Sequence, residues 1–122
     1  VTGGKISESA YLCLKLAWIY RGEIQEAKAN GAAQERISMY EKYEKEYLED
    51  AYRGFKQARE TEYPPIAGMD ENTITYLLTS IGIHCGKIDE ARRYGSALLI
   101  SRTASMKLKN KTRDVLETIK KN

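Results

Sequence analysis

Between Gly86 and Ala91 the chain reads Gly-Lys-Ile-Asp-Glu-Ala, set between two apolar stretches of helical period. A glycine is the residue that most easily takes the left-handed conformation ending a helix. With Glu-Ala four and five positions on, it marks a turn from one helix straight into the next. A chain with such a turn is built from antiparallel helical hairpins, and the remaining segments have to be read as parts of that stack.

The spacing of apolar residues places the other helices. Ser7 stands as an N-cap before the run Ala10 to Tyr20, which is apolar nearly all round: Tyr11, Leu14 and Trp18 make one face, Leu12, Leu16 and Ile19 another. A helix of this kind needs cover on both sides. Leu12, Leu16 and Ile19 are therefore expected either against a second copy of the chain or as an exposed patch that further helices upstream would cover. Gly22 weakens the same helix by about 1 kcal/mol relative to alanine and marks a kink or frayed point, and Asn30-Gly31 ends it.

From 32 to 62, Ile37, Tyr40, Tyr47, Leu48, Ala51, Phe55 and Ala58 recur at helical spacing and predict one long helix of about 45 Å. Ala51, Phe55 and Ala58 are expected to face the first helix and to bury Leu14 and Trp18. Residues 22–45 are expected to project as a narrow two-helix arm held by Ile24, Ile37, Met39, Tyr40 and Tyr43, with Tyr40 and Tyr43 as candidate partner contacts. Pro64 and Pro65 break the long helix. Asp70 caps a third, which carries Ile74, Leu77, Leu78, Ile81 and Cys85 along one stripe. A fourth begins near Ile88 and turns Ala91, Tyr94, Leu98 and Leu99 inward, with Gly95 signalling a helix that passes close by. A fifth, over about 104–121, uses Met106, Leu108, Val115, Leu116 and Ile119. No period-2 run is sustained, so the fold class is all-α, about five helices in stacked antiparallel hairpins and no strand.

At 122 residues the chain falls in the single-domain range, and residues 1–122 are read as one domain, expected to be the C-terminal fragment of a longer protein because it starts at Val1. No apolar run approaches the ~20 residues of a membrane helix, and nothing resembles a signal peptide. Cys13 and Cys85 are isolated. With no CxxC spacing and one histidine, they are read as buried thiols in a reducing cytoplasm rather than as a disulfide or a metal pair.

Motifs for chemistry are missing. The carboxylates of the long helix pair with bases at i,i+4 (Glu41 with Lys45, Lys42 with Glu46, Glu49 with Arg53), the pattern of a solvated face. No nucleophile and base, ligand set or phosphate loop stands in the sequence, which points away from an enzyme and from any cofactor or metal. His84 is read as a surface or C-capping residue.

In tetratricopeptide repeats the second helix carries small, aromatic and small residues at relative spacing 0, 4 and 7. Ala51-Phe55-Ala58 has that spacing with those residue types, and Gly86 and Ala91 lie in the matching register of a second unit, where Gly95 and Leu98 depart from it. Leu16 to Arg21, Glu46-x-Leu48-x-x-Ala51, Met69-Asp70-Glu71, Tyr76-Leu77-Leu78 and Gly86-x-x-x-Glu90-Ala91, in that order, resemble the helical tail of an uncharacterised bacterial family. Its members join an N-terminal zinc-ribbon-like segment to tetratricopeptide-like helices. The resemblance spans roughly residues 8–100. It departs at Thr79, where a glycine is expected, and in the 21–44 region, about 15 residues longer than such a turn usually is. The zinc-ribbon cysteines are not in this chain, and the resemblance brings no activity with it.

A helical repeat implies recognition of another protein, so the chain is expected to be a protein-interaction or scaffold module, through a protein partner or self-association. Candidate groove residues are Tyr11, Tyr52, Tyr76 and Tyr94, with Arg92 and Arg93 at the edge, beside Leu12, Leu16, Ile19, Tyr40 and Tyr43; packing is the simpler role for each tyrosine, and Trp18 is read as core. The alternative is nucleic-acid or anionic-surface binding through residues 102–121. Residues 101–122 carry seven Lys/Arg against two acids, whereas the first hundred carry 13 against 15.

Overall fold

Five α-helices follow one another: α1 (Lys5–Ala29), α2 (Gln34–Thr61), α3 (Glu71–His84), α4 (Ile88–Leu99) and α5 (Met106–Lys120). The structure, a computed structural model, describes residues 5–61 and 69–120 apart from the side chains of Lys5 and Lys120, and none of these belongs to a β-strand. The Pro64 to Gly68 break lies outside the described residues.

Two glycines close the hairpin turns in the same way. Gly31 and Gly86 have φ of 68° and 78°. Behind each, the last helical carbonyls are capped by a pair of reversed bonds: Ala32 N to Ala27 O at 2.9 Å with Gly31 N to Lys28 O at 3.3 Å, and Lys87 N to Gly82 O at 2.7 Å with Gly86 N to Ile83 O at 3.2 Å. This is the Schellman pattern, which a left-handed residue makes possible. At the other end of α3, the Asp70 carboxylate accepts the Thr73 N–H at 2.8 Å.

Side-chain bonds fix the directions. Arg59 on α2 reaches Glu71 and Thr75 at the start of α3, at 3.7 Å and 3.2 Å, so α3 runs back along α2. Glu90 at the start of α4 meets Tyr52 and Lys56, and Tyr94 meets Arg59, which sets α4 parallel to α2. Asn72 binds Thr103 just ahead of α5, and Lys111 lies over the Tyr76 ring, which sets α5 parallel to α3. Among the described residues the backbone of α1 comes close to that of α2 alone, whereas α3 has α2, α4 and α5 for neighbours.

The main core runs through α1, α2 and α3 around Leu14, Ala51, Phe55, Ala58, Ile74 and Leu78. Ala51, Phe55, Ala58 and Leu14 are buried as the spacing predicts. Trp18 is not: it is 50% exposed. The row of α1 that meets α2 is Ala10, Leu14 and Ala17, and α2 comes so close at Gly54 that a Cβ there would lie 2.7 Å from the Ala10 Cβ. Small residues on both helices leave no room for an indole. Trp18 stands about 90° round the helix from the alanines.

Three more expectations are corrected. The helix begins ahead of Ser7, which is fully buried within it rather than capping it. Gly22 produces no break, because α1 is continuous to Ala29. Met106 and Met39 face solvent, at 66% and 45% exposure, instead of packing inward. The expected proximity at Gly95 is present: a Cβ there would come within 2.9 Å of both Leu116 methyls of α5.

A second, smaller core of Ile24, Ala27 and Ile37, with Ala32 and Tyr40 against it, holds the far end of the α1–α2 hairpin. α3 ends near Glu44 of α2, so the ten residues from Gln34 to Tyr43 extend about 15 Å past it. This is the two-helix arm that the long 22–45 segment predicts. Tyr20 anchors its base, its ring 5.9, 5.3 and 5.9 Å from those of Tyr40, Tyr43 and Tyr47.

Candidate functional site

α1 turns one side to α2 and leaves the other bare. Leu12, Leu16 and Ile19, at i, i+4 and i+7, form a stripe at 59%, 37% and 58% exposure, and Trp18 lies on the flank of the helix about 120° round from it. Acidic residues frame the stripe: Glu8 stands one turn before Leu12, and Glu23 one turn after Ile19, with Glu26 beyond. The cation beside it, Lys15, folds back over the Tyr11 ring, 4.6 Å from the centroid. Along the α1–α2 seam next to Leu12 and Leu16 runs an open groove of about 430 Å³ whose walls include Ser9, Ala10, Cys13, Gly54 and Asp50. Burial, more than the nearby Asp50 charge, raises the Cys13 thiol above its ordinary pKa.

The other candidate residues are not brought together with this stripe. Tyr40 and Tyr43 are half-buried in the aromatic stack on Tyr20. Arg92 and Arg93 are exposed on α4, which α1 does not touch among the described residues. The four groove tyrosines have internal partners instead of a shared groove. Tyr52 is buried, and its hydroxyl donates to Glu90; burial and that bond push its pKa up. Glu90 is held below the usual carboxylate range by the Tyr52 bond first and by Lys56, whose Nζ lies 3.3 Å away. Tyr94 stacks under Arg59, Tyr76 under Lys111 and Tyr11 under Lys15.

At the α3 end, Arg21 Nε donates to Glu44 at 2.7 Å, and His84 sits close by. Partial desolvation, with the Arg21 charge adding to it, lowers the His84 pKa, although much of the side chain stays in solvent. The basic residues of α5 do not share one face. Lys107 and Lys111 stand a turn apart on one flank, and Lys109 and Arg113 about 160° round the helix from them. Arg113 is tied to Asn110 at 2.9 Å.

Sequence reasoning missed the groove and its acidic frame. A signal for the groove was present in Gly54, a glycine inside a strongly periodic helix, which marks a close backbone approach. Among the described residues no three His, Cys, Asp or Glu side chains converge to hold a metal ion. No helix there is long and apolar enough to cross a membrane.

Fold and site together define a helical-hairpin protein that presents an apolar helix face. The chain belongs to the family described as "uncharacterized protein conserved in bacteria" (DUF2225), which matches residues 1–119. No curated protein and no solved structure matches the chain.

Proposed function

We propose that this chain is a protein-interaction or scaffold module, a tetratricopeptide-like array of hairpins that receives its partner on the outward face of α1. The observation that carries the reading is the Leu12, Leu16 and Ile19 stripe: three large apolar side chains in one row, uncovered, on a helix whose opposite side is packed. Exposed apolar surface gathered in one patch, as opposed to scattered singly, marks a contact site. The array reading is supported by α4 running parallel to α2 and α5 parallel to α3, the repetition expected of stacked hairpins, and by the full burial of Ala51, Phe55 and Ala58. A cytoplasmic location, without enzymatic activity of its own, belongs to the same proposal, as does a zinc-ribbon-like segment elsewhere in the full-length protein. Protein docking is preferred to nucleic-acid binding because the α5 cations diverge around the helix, so that few of them can reach one phosphate backbone together.

The test compares variants as bait. A partner captured by the wild-type chain is lost from Leu16→Glu/Ile19→Glu and kept by Arg92→Glu/Arg93→Glu. If the arginine variant loses the partner and the stripe variant keeps it, the docking face lies elsewhere and the reading fails.

A further inference from the structure

We infer that the partner seated on α1 is a single amphipathic helix whose apolar stripe is flanked at both ends by basic residues. This rests on the reading of the stripe as the docking face and deepens it to the partner's chemistry.

Shape sets the first half of the inference. Leu12 to Ile19 spans about 10 Å of helix, one row of knobs of the kind that a second helix packs across at an interaxial distance of about 8–10 Å. The groove beside that row is floored at Ala10 and Gly54, where the two helices approach most closely. It takes one large side chain of the docked helix. Aromatic or long aliphatic residues about two turns apart on the partner, at i and i+7 or i+8, would seat one in the groove and one between Leu16 and Ile19.

Charge sets the second half. Glu8 lies before the stripe and Glu23 and Glu26 after it, all exposed, and none makes an ion pair among the described residues. Asp50, on the far wall of the groove, is paired with Arg53. Lys15, the cation along the row, is drawn off over Tyr11. A helix lying on the stripe would therefore meet, one turn beyond either end, carboxylates that form no ion pair among the described residues, and basic residues there are the complement.

The same carboxylates disfavour the second copy of the chain as occupant. In an antiparallel two-fold pairing centred on the stripe, Leu12 faces Ile19 of the other copy, and Glu8 then faces Glu23. A parallel pairing sets each of these acids against its own counterpart. Like charges so placed work against association. Nor does α5 of another copy qualify, because its apolar row of Leu116 and Ile119 is buried within its own fold.

The experiment follows binding by the fluorescence anisotropy of a labelled peptide. Two labelled helical peptides share one leucine stripe and differ only in lysine or glutamate placed one turn beyond each end. The lysine-ended peptide is expected to give a saturable rise in anisotropy when the chain is titrated in. Its affinity should exceed that of the glutamate-ended peptide by about tenfold or more at low salt, from several exposed pairs of modest strength. The ratio should fall towards one at about 1 M salt, where the Debye length is about 3 Å. Glu8→Lys/Glu23→Lys, two exposed changes, should reverse the preference while the melting curve is retained. Equal affinity for both peptides at low salt overturns the inference about charge and leaves the docking face standing. Binding of neither peptide to the folded chain overturns the single-helix partner, and the bait comparison then judges the docking face separately. Light scattering that shows a dimer dissolved by Leu16→Glu names the second copy as occupant and overturns the inference.

Discussion

Alanine at two glycines of the first hairpin should move stability in opposite directions. Gly22 and Gly54 both lie inside helices, where glycine costs about 1 kcal/mol relative to alanine. A Cβ on Gly22 meets nothing within 4 Å, so Gly22→Ala should keep that gain. A Cβ on Gly54 would stand 2.7 Å from the Ala10 Cβ, 3.4 Å from its Cα and 3.6 Å from the Ile6 carbonyl oxygen. None of these is the end of a flexible side chain. Ordinary contact begins near 3.4 Å, so α1 and α2 must part locally by roughly 0.7 Å, loosening the Ala10, Leu14 and Ala17 row against Ala51 and Phe55. Overpacking of this kind costs about 1–3 kcal/mol, which offsets the propensity gain and leaves a net loss of up to about 2 kcal/mol. With an unfolding entropy of about 0.26 kcal/mol/K for a chain of 122 residues, Gly22→Ala should raise Tm by about 4 °C and Gly54→Ala lower it by as much as about 8 °C. Paired thermal melts followed by circular dichroism decide. If Gly54→Ala stabilises the chain as much as Gly22→Ala does, the close approach of α1 and α2 is wrong.

Phe55→Ala removes a fully buried ring where α1, α2 and α3 meet and should cost about 4 kcal/mol, or about 15 °C in Tm; a shift below about 4 °C would contradict the packing. Tyr20→Ala deletes the ring that three tyrosines share and should cost about 2–3 kcal/mol, with faster amide exchange at 22–43 than in α3; uniform acceleration would mean that the arm is no separate unit. The Thr73 N–H holds the Asp70 carboxyl below its ordinary pKa, so this group contributes stability above the unfolded carboxyl range and loses it as pH falls through the depressed folded value. Asp70→Asn keeps a capping oxygen without a charge, so urea midpoints should show the wild-type advantage at neutral pH shrinking towards acid, and an advantage constant with pH would rule the linkage out.

The hairpin turns were legible because Gly31 and Gly86 do something that other residues do poorly, and a positive φ leaves its mark on composition. α3 was legible because its apolar residues keep one stripe. α1 was not, since Tyr11, Leu12, Leu14, Leu16, Trp18 and Ile19 cover nearly every direction, and the face that is buried follows from which row is small enough to meet Gly54. Volume, and not hydrophobicity, placed Ala10 and Ala17 inside and Trp18 outside. Thr79 was a puzzle of the same kind. It is fully buried, its hydroxyl returned to the Thr75 carbonyl at 2.9 Å, and the close approach expected of a glycine there comes three residues later, where a Cβ on Gly82 would lie 3.1 Å from the Tyr52 ring and 3.3 Å from the Ala91 Cβ. Thr112 of α5 repeats the device, bonding back to Leu108 O at 2.8 Å, and no periodicity argument based on apolar residues could have put it in the core.

The two ends of the array differ in a way that bears on where a partner can add. The outward side of α5 shows Lys107, Asn110, Arg113, Asp114 and Glu117 to solvent. A further helix laid there would have to desolvate charges without an apolar row to seat on. At α1 the order is reversed: a leucine-isoleucine row faces outward, the charges lie beyond its ends, and a groove opens alongside. Apolar area covered at α1 is a gain at about 25 cal/mol per Å², whereas the carboxylates at its ends can stay hydrated or be met by opposite charge. On the proposed reading, docking is therefore expected on the α1 side.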